Sequence, residues 1–222
     1  MAEPFEDGSL LPWFKGYKFE FGKSTYRDIN PDNPDLKRRQ VGEGGCVYAK
    51  PNVWVNVALL DIASQHPHSL IAECLFGPKF TRHFRDIVEG RVSIKHQAWN
   101  EVNNMFGGKL KKFIDKVIAG EMTSKDLANG LKTAINAVYG LTAASFDNPF
   151  RDSRNVDNIV AKRGALFMIN LRLEVQKSGF NVVHIKTDSI KISDATPEII
   201  DFCMKYARRY GYTFEHEATY KK

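Results

Sequence analysis

VVHIKTDSIKIS, residues 182–193, decides how this chain is read. Val182, Val183, His184 and Ile185, then Ser189, Ile190, Lys191 and Ile192, have the composition of strands, and Lys186-Thr187-Asp188 between them is short enough to be a hairpin tip. A carboxylate there is held rigidly on the rim of a sheet. The plain alternative is an ordinary polar turn, because acids are common in turns. What draws attention to Asp188 is a second strand that runs into an acid.

That strand is predicted over residues 53–60, VWVNVALL, leading into Asp61. A hydrophobic run with acidity only at its end reads as a buried central strand. Pro67 then predicts a turn before a helical stretch over residues 69–76. If the two strands are neighbours, Asp61 and Asp188 meet. Two ionised carboxylates at roughly 4 Å repel by about 4 kcal/mol at an effective dielectric of 20, so such a pair calls for a bound cation or a raised pKa. With oxygen ligands and no nearby Cys or His pair at zinc spacing, magnesium is the natural cation.

These residues carry a resemblance. Asp61-Ile62-Ala63-Ser64-Gln65-His66-Pro67 is similar to Asp-x-x-Ser-Leu-Tyr-Pro-Ser, motif A of the family B DNA polymerases. Lys132-Thr133-Ala134-Ile135-Asn136-Ala137-Val138-Tyr139-Gly140 matches their motif B, Lys-x-x-x-Asn-Ser-x-Tyr-Gly, and Lys186-Thr187-Asp188-Ser189 resembles motif C, Asp-Thr-Asp-Ser. The three stand in the family's order, the likeness covers nearly everything after Gly42, and the wording is most like the bacteriophage-type replicative enzymes.

Composition agrees. The chain has 222 residues, 43% of them hydrophobic, enough to bury a core, and its net charge of +6 suits a polyanionic partner. Cys46, Cys74 and Cys203 are scattered without Cys-x-x-Cys spacing, which points away from a disulfide framework and from a zinc site. No apolar run has membrane-spanning length and the N-terminal stretch is unlike a signal peptide, so a cytoplasmic protein without a membrane partner is expected.

Along the chain, residues 1–11 read as frayed, 13–27 as a hairpin around Gly22-Lys23-Ser24, and 28–39 as a loop. Gly42-Glu43-Gly44-Gly45 falls where the family has Tyr-x-Gly-Gly, with Gly42 in place of the Tyr; a flexible glycine turn is the other reading. Pro78 opens a predicted helix with Phe80, Phe84, Ile87, Val88 and Ile94 on one face. Shorter helices are predicted over 98–106 and 109–119, broken by Gly107-Gly108 and Gly120. Thr123 and Asp126 form a capping box for a helix whose apolar stripe is Leu127, Leu131, Ile135 and Val138. Residues 148–158 read as a loop, 159–178 as an amphipathic helix closed by Gly179, 197–210 as a helix and 212–220 as a strand.

That order predicts an α/β (α+β) fold: a ferredoxin- or RRM-like antiparallel palm sheet backed by helices, with an inserted α-helical fingers subdomain. The expected divisions are an N-terminal hairpin and loop at 1–41, a first palm part with motif A at 42–75, helical fingers with motif B at 76–145, and a second palm part with motif C at 146–222.

The resemblance implies transfer of a deoxynucleotide from a dNTP to a primer 3′-hydroxyl on primer-template DNA. It implies two magnesium ions on Asp61, Ile62 and Asp188. Backbone N–H groups around Ser64, Gln65 and His66 would cradle the β- and γ-phosphates, and Arg91, Lys95 and Lys132 would supply cations, Lys132 as a catalytic charge. Asn136 would neighbour the sugar or triphosphate, Tyr139 would pack against the nascent base pair, and Gly140 would let the template approach. Glu217 is either the acid of the strand after motif C or a solvated strand-edge residue. Two departures stand out: Lys186 replaces the first Asp of Asp-Thr-Asp, next to Thr187, and His66 replaces the Tyr that packs under the sugar. Two other readings stand beside autonomous catalysis. One is a non-autonomous fragment, or half of a split polymerase, that works with a thumb- or exonuclease-bearing partner; the other is a catalytically silent nucleic-acid-binding palm.

Overall fold

The computed structural model describes residues 18–22, 25–29, 39–41, 45–156 and 159–221. By their packing these residues fall into two units, one within 1–73 and 157–222, the other Cys74–Val156. The strands are β1 (Lys18–Gly22), β2 (Thr25–Ile29), β3 (Arg39–Val41), β4 (Val47–Ala49), β5 (Val57–Ile62), β6 (Asn181–Lys186), β7 (Ser189–Ser193) and β8 (Phe214–Tyr220). The helices are α1 (Gln65–Ala72), α2 (Gly77–Lys95), α3 (Trp99–Met105), α4 (Lys111–Ile118), α5 (Ser124–Thr142), α6 (Ser153–Val156), α7 (Ile159–Lys177) and α8 (Pro197–Arg209).

In the first unit, the N-terminal hairpin pairs Phe21 with Tyr26, and β3 adds a third antiparallel strand beside β2. Asp28, Ile29 and Arg39 are therefore strand residues, not loop as predicted. The expectations for residues 1–11, for Trp13 and for Gly42–Gly44 fall outside the described residues.

The main sheet is antiparallel throughout, in the order β4-β6-β7-β5-β8. With β4 set aside, β5, α7, β6, β7, α8 and β8 form a β-α-β-β-α-β unit, the ferredoxin-like arrangement expected. Alternation decides which face is packed. Leu60, Ile62, Ile185, Ile190, Ile192 and Phe214 are buried in one core with Leu166, Leu171 and Val175 of α7 and Ile199, Cys203 and Ala207 of α8. Each such aliphatic side chain contributes about 1.5–3 kcal/mol when fully buried.

Three sequence expectations need correction here. The strand starts at Val57, not Val53: Val53 and Val55 are exposed, so the β-branched composition of 53–56 is not matched by a packing partner. Helix α1 starts at Gln65, upstream of the turn predicted at Pro67, because a proline in the first helical turn lacks only an N–H that has no intrahelical acceptor anyway. Helix α7 is buried nearly all round rather than amphipathic, and takes Lys162, Arg163 and Arg172 inside with it. Arg163 donates to Glu73 Oε1 at 3.0 Å and to the Tyr210 carbonyl at 2.8 Å, and its guanidinium lies over the Tyr212 ring, which is how a buried cation is tolerated.

In the second unit Ile94, Val102, Ile114, Leu127 and Ala128 form the core, with Trp99, Phe106, Leu110, Val117, Met122 and Leu131 against it. The capping box is present: the Asp126 N–H donates to Thr123 Oγ1, and the Thr123 N–H donates to Asp126 Oδ2, each at 3.1 Å. Phe80 is exposed, so the apolar face of α2 begins at Phe84 instead. The loop predicted over 148–158 contains the single turn α6.

Candidate active site

The site is built on the face of the main sheet opposite α7 and α8. Asp61 alternates with Leu60 and Ile62, so burial of those two turns its carboxylate to the other face. Across β7 its partner is Ser189, and across β8 it is Glu215. The turn between β6 and β7 sits at the same end, where the Ile62 N–H donates to the Asp188 carbonyl at 2.8 Å. The register thus brings Asp61 and Asp188 to one corner of the open face.

The acids of this corner act on one another electrostatically. Burial, first, and then the charges of Asp188, Glu217 and Glu215 push the Asp61 carboxyl up to about 6. Glu217 occupies a special place: β8 pairs His216 with Leu60 and Ala218 with Leu59, which leaves Glu217 as the extra residue of a β-bulge. Bulges re-aim side chains. Glu215 was not singled out from sequence; its only signal was that it stands two residues before Glu217 on the same strand.

Cations occupy the other half of this face. Lys186 pairs with Ser189, and His184 with Lys191, so Lys186 and Lys191 are diagonal neighbours, about 7–8 Å apart at the backbone. Lys191 also lies over the Tyr220 ring. Burial, followed by the charges of Lys191 and Lys186, lowers the pKa of His184. The open face is divided: acidic across β5 and β8, basic across β6 and β7.

The turns that border the corner are strained. Ser64 (φ 58°) and Thr187 (φ 55°) are both left-handed without being glycine, and for a β-branched threonine that conformation is a genuine outlier. Such residues cost of order 1–3 kcal/mol each and cluster at functional sites. Ser64 is the N-cap of α1, whose first turn places Gln65 and His66 beside the corner, and its carbonyl accepts from the His68 N–H at 3.1 Å. Burial lowers the pKa of His66, partly offset by the Asp188 charge.

The remaining predicted residues lie in the second unit. On α5, Lys132, Asn136 and Gly140 are exposed and Tyr139 is half-buried, its hydroxyl pKa raised by burial. On α2, Arg91 is half-buried and Lys95 exposed.

Among the described residues no group of three or more His, Cys, Asp or Glu side chains is placed to hold a metal ion. Two carboxylates suffice for magnesium, which keeps several waters and takes its other ligands from a substrate's phosphates. Asp61, half-buried, and Asp188, whose charge it feels, are two such carboxylates, a donor pair that fits such a cation.

No family model matches the chain, and no curated protein matches it. Among solved structures it is similar to the family B DNA polymerase from the hyperthermophilic archaeon Pyrobaculum calidifontis, with a TM-score of 0.51 and 16% identity over 78% of this chain. The chain spans 25% of that polymerase's length. At this identity the likeness concerns the fold: a mixed α/β, palm-like domain in which helices back a five-stranded antiparallel sheet. No described helix is long and apolar enough to cross a membrane.

Proposed function

We propose that the chain is the palm and fingers portion of a family B-like DNA polymerase, transferring dNMP from dNTP to a primer 3′-hydroxyl. The observation that carries this is the register that sets Asp61 and Asp188 at one corner of the open sheet face. Asp61 and Asp188 would hold the magnesium ions, with Ile62 beside them. Those ions, when bound, would activate the primer hydroxyl and stabilise charge on the triphosphate and the departing pyrophosphate.

The chain's own residues set the rest. Asp61 must lose its proton to bind a cation, which the raised pKa defers to about pH 6 and above. N–H groups in the first turn of α1, at Gln65 and His66, receive triphosphate oxygens. A neutral His66 ring packs beneath the sugar, and comparing dNTP with rNTP incorporation tests whether it excludes a 2′-hydroxyl. Lys186 and Lys191 contact DNA phosphates on the basic half of the face, a role for Lys186 in place of metal binding. In the second unit, the fingers of this reading, Arg91, Lys95 and Lys132 bind the triphosphate, Asn136 neighbours the sugar or the triphosphate, and Tyr139 and Gly140 lie against the base pair. The bacteriophage-type affinity and a cytoplasmic site of action belong to the same proposal, on the wording of the three motifs.

Magnesium-dependent extension of a primed DNA template, with Asp188→Ala as control, tests the reading. Extension that the variant loses supports it. Extension that appears only after adding a thumb-bearing polymerase fragment assigns the chain to a split enzyme. A folded chain that binds DNA but neither binds dNTP nor extends a primer under any of these conditions rejects it in favour of a silent nucleic-acid-binding module.

A further inference from the structure

Asp188 is carried by a turn that ought not to hold its shape unaided. Thr187 is left-handed, and the Asp188 N–H closes onto the Lys186 carbonyl at 2.7 Å, a tight return for a β-branched residue. Three neighbours grip it. The Thr187 N–H donates to the Cys46 carbonyl at 2.9 Å, the Asp188 carbonyl accepts from Ile62, and the Thr187 carbonyl accepts from the side-chain amide of Gln65 at 3.2 Å. The first two are main-chain contacts that many sequences would make. The third depends on one side chain.

Gln65 is 3% exposed, unusual for a residue type that mostly stays in water. Its amide lies against Gly164 of α7, where a Cβ would stand 2.7 Å from Gln65 Cδ and 3.0 Å from Nε2. The glycine thus leaves a slot for the amide, and a buried amide left without a partner would carry a desolvation penalty. On the other side of the turn, a Cβ on Gly45 would come within 3.1 Å of Thr187 Cγ2, and the φ of Gly45 is +131°. Two glycines from distant parts of the chain therefore make room for one turn and one amide.

We propose that Gln65 is a positioning residue: its side-chain amide, seated in the slot at Gly164, holds the Thr187–Asp188 turn so that the Asp188 carboxylate faces Asp61. This rests on reading Asp61 and Asp188 as cation ligands, and adds a part that the motif does not contain, since the family pattern has Leu at the position of Gln65. Leucine fills the space and has no N–H to give.

Gln65→Leu keeps most of the volume and deletes the donor. Gly164→Ala reaches the same end from the opposite side, because its methyl meets the flexible end of Gln65 rather than backbone. Two measurements are made on the full chain: amide hydrogen exchange across residues 184–190, and affinity for Mn²⁺, an oxygen-seeking probe for the magnesium site. Both variants are expected to retain wild-type exchange in β5 and α8, to exchange faster at Thr187 and Asp188, and to bind Mn²⁺ about 10-fold more weakly, as happens when a group that orients a metal ligand is removed. Unchanged turn exchange and unchanged Mn²⁺ affinity in Gln65→Leu would overturn the proposal. If wild-type chain binds no Mn²⁺, exchange at the turn alone decides whether Gln65 holds it, and the cation reading fails separately.

Discussion

The two faces of the main sheet obey different rules. Against α7 and α8 the sheet presents Leu60, Ile62, Ile185, Ile190, Ile192 and Phe214, none more than 4% exposed; on the other side, within the same strands, stand Asp61, Lys186, Ser189, Lys191 and Glu215. One face excludes water; the other turns charged side chains away from the core. The contrast teaches that stability and function are separable here at a spacing of one residue. A substitution at Leu60 and one at Asp61 should therefore damage different properties.

The largest expected effects test that separation. Asp188→Ala should lower primer extension at least 1,000-fold, about 4 kcal/mol of transition-state stabilisation, while leaving the urea midpoint close to wild type. Leu60→Ala should do the reverse, costing about 2–5 kcal/mol in urea unfolding because the cavity lies in a core that cannot collapse around it. If Asp188→Ala unfolds the chain, or Leu60→Ala leaves stability intact, the division between the faces is wrong.

Smaller effects sharpen the same point. Magnesium should stabilise the wild-type chain by about 1.4 kcal/mol at ten times its Kd and leave Asp188→Ala unmoved, read as a shift in thermal midpoint.

The acidic corner should also cost stability when empty of cation. Asp61 is protonated more readily folded, at about pH 6, than unfolded, at 3.8. The folded state holds the extra proton between those values, so its contribution is whole below about pH 4 and lost as pH rises through 6. Asp61→Asn should thus stabilise the cation-free chain by ~1 kcal/mol at pH 8, after allowance for solvent screening, and by nothing at pH 4. Equal stability of the two proteins at pH 8 would show that the corner carries no such strain. Smallest of all are the neighbours' separate effects on the Asp61 titration, followed by carboxyl NMR. Its midpoint should fall most in Asp188→Asn, less in Glu217→Gln and least in Glu215→Gln.

Sequence showed the packed face well and the open face in part. The hydrophobic run that ends in Asp61 and the strand composition flanking Lys186-Thr187-Asp188 marked two strand ends carrying acids, and the pairing of β5 with β7 is what makes them neighbours. Local chemistry also gave the Thr123–Asp126 capping box, because both its members lie within one turn. What was hidden depends on partners far along the chain. Val53 and Val55 have strand composition but no neighbour, and α7 hides three cations whose partners, Glu73, Tyr210, Tyr212 and Tyr48 among them, come from other elements. The bulge at Glu217 exists only in the pairing with β5, so although the resemblance pointed to Glu217, nothing in the sequence showed that it shares one corner with Glu215. The seat of Gln65 required Gly164, about a hundred residues away, to lack a side chain.

The most direct test of the central claim, that the open-face carboxylates form a cation site, is calorimetric titration of Mg²⁺ into the chain at pH 8, beside Asp61→Asn and Asp188→Asn. The account predicts saturable binding by wild type and at least 10-fold weaker binding by each variant. Equal affinity in all three proteins, or none in any, would contradict it.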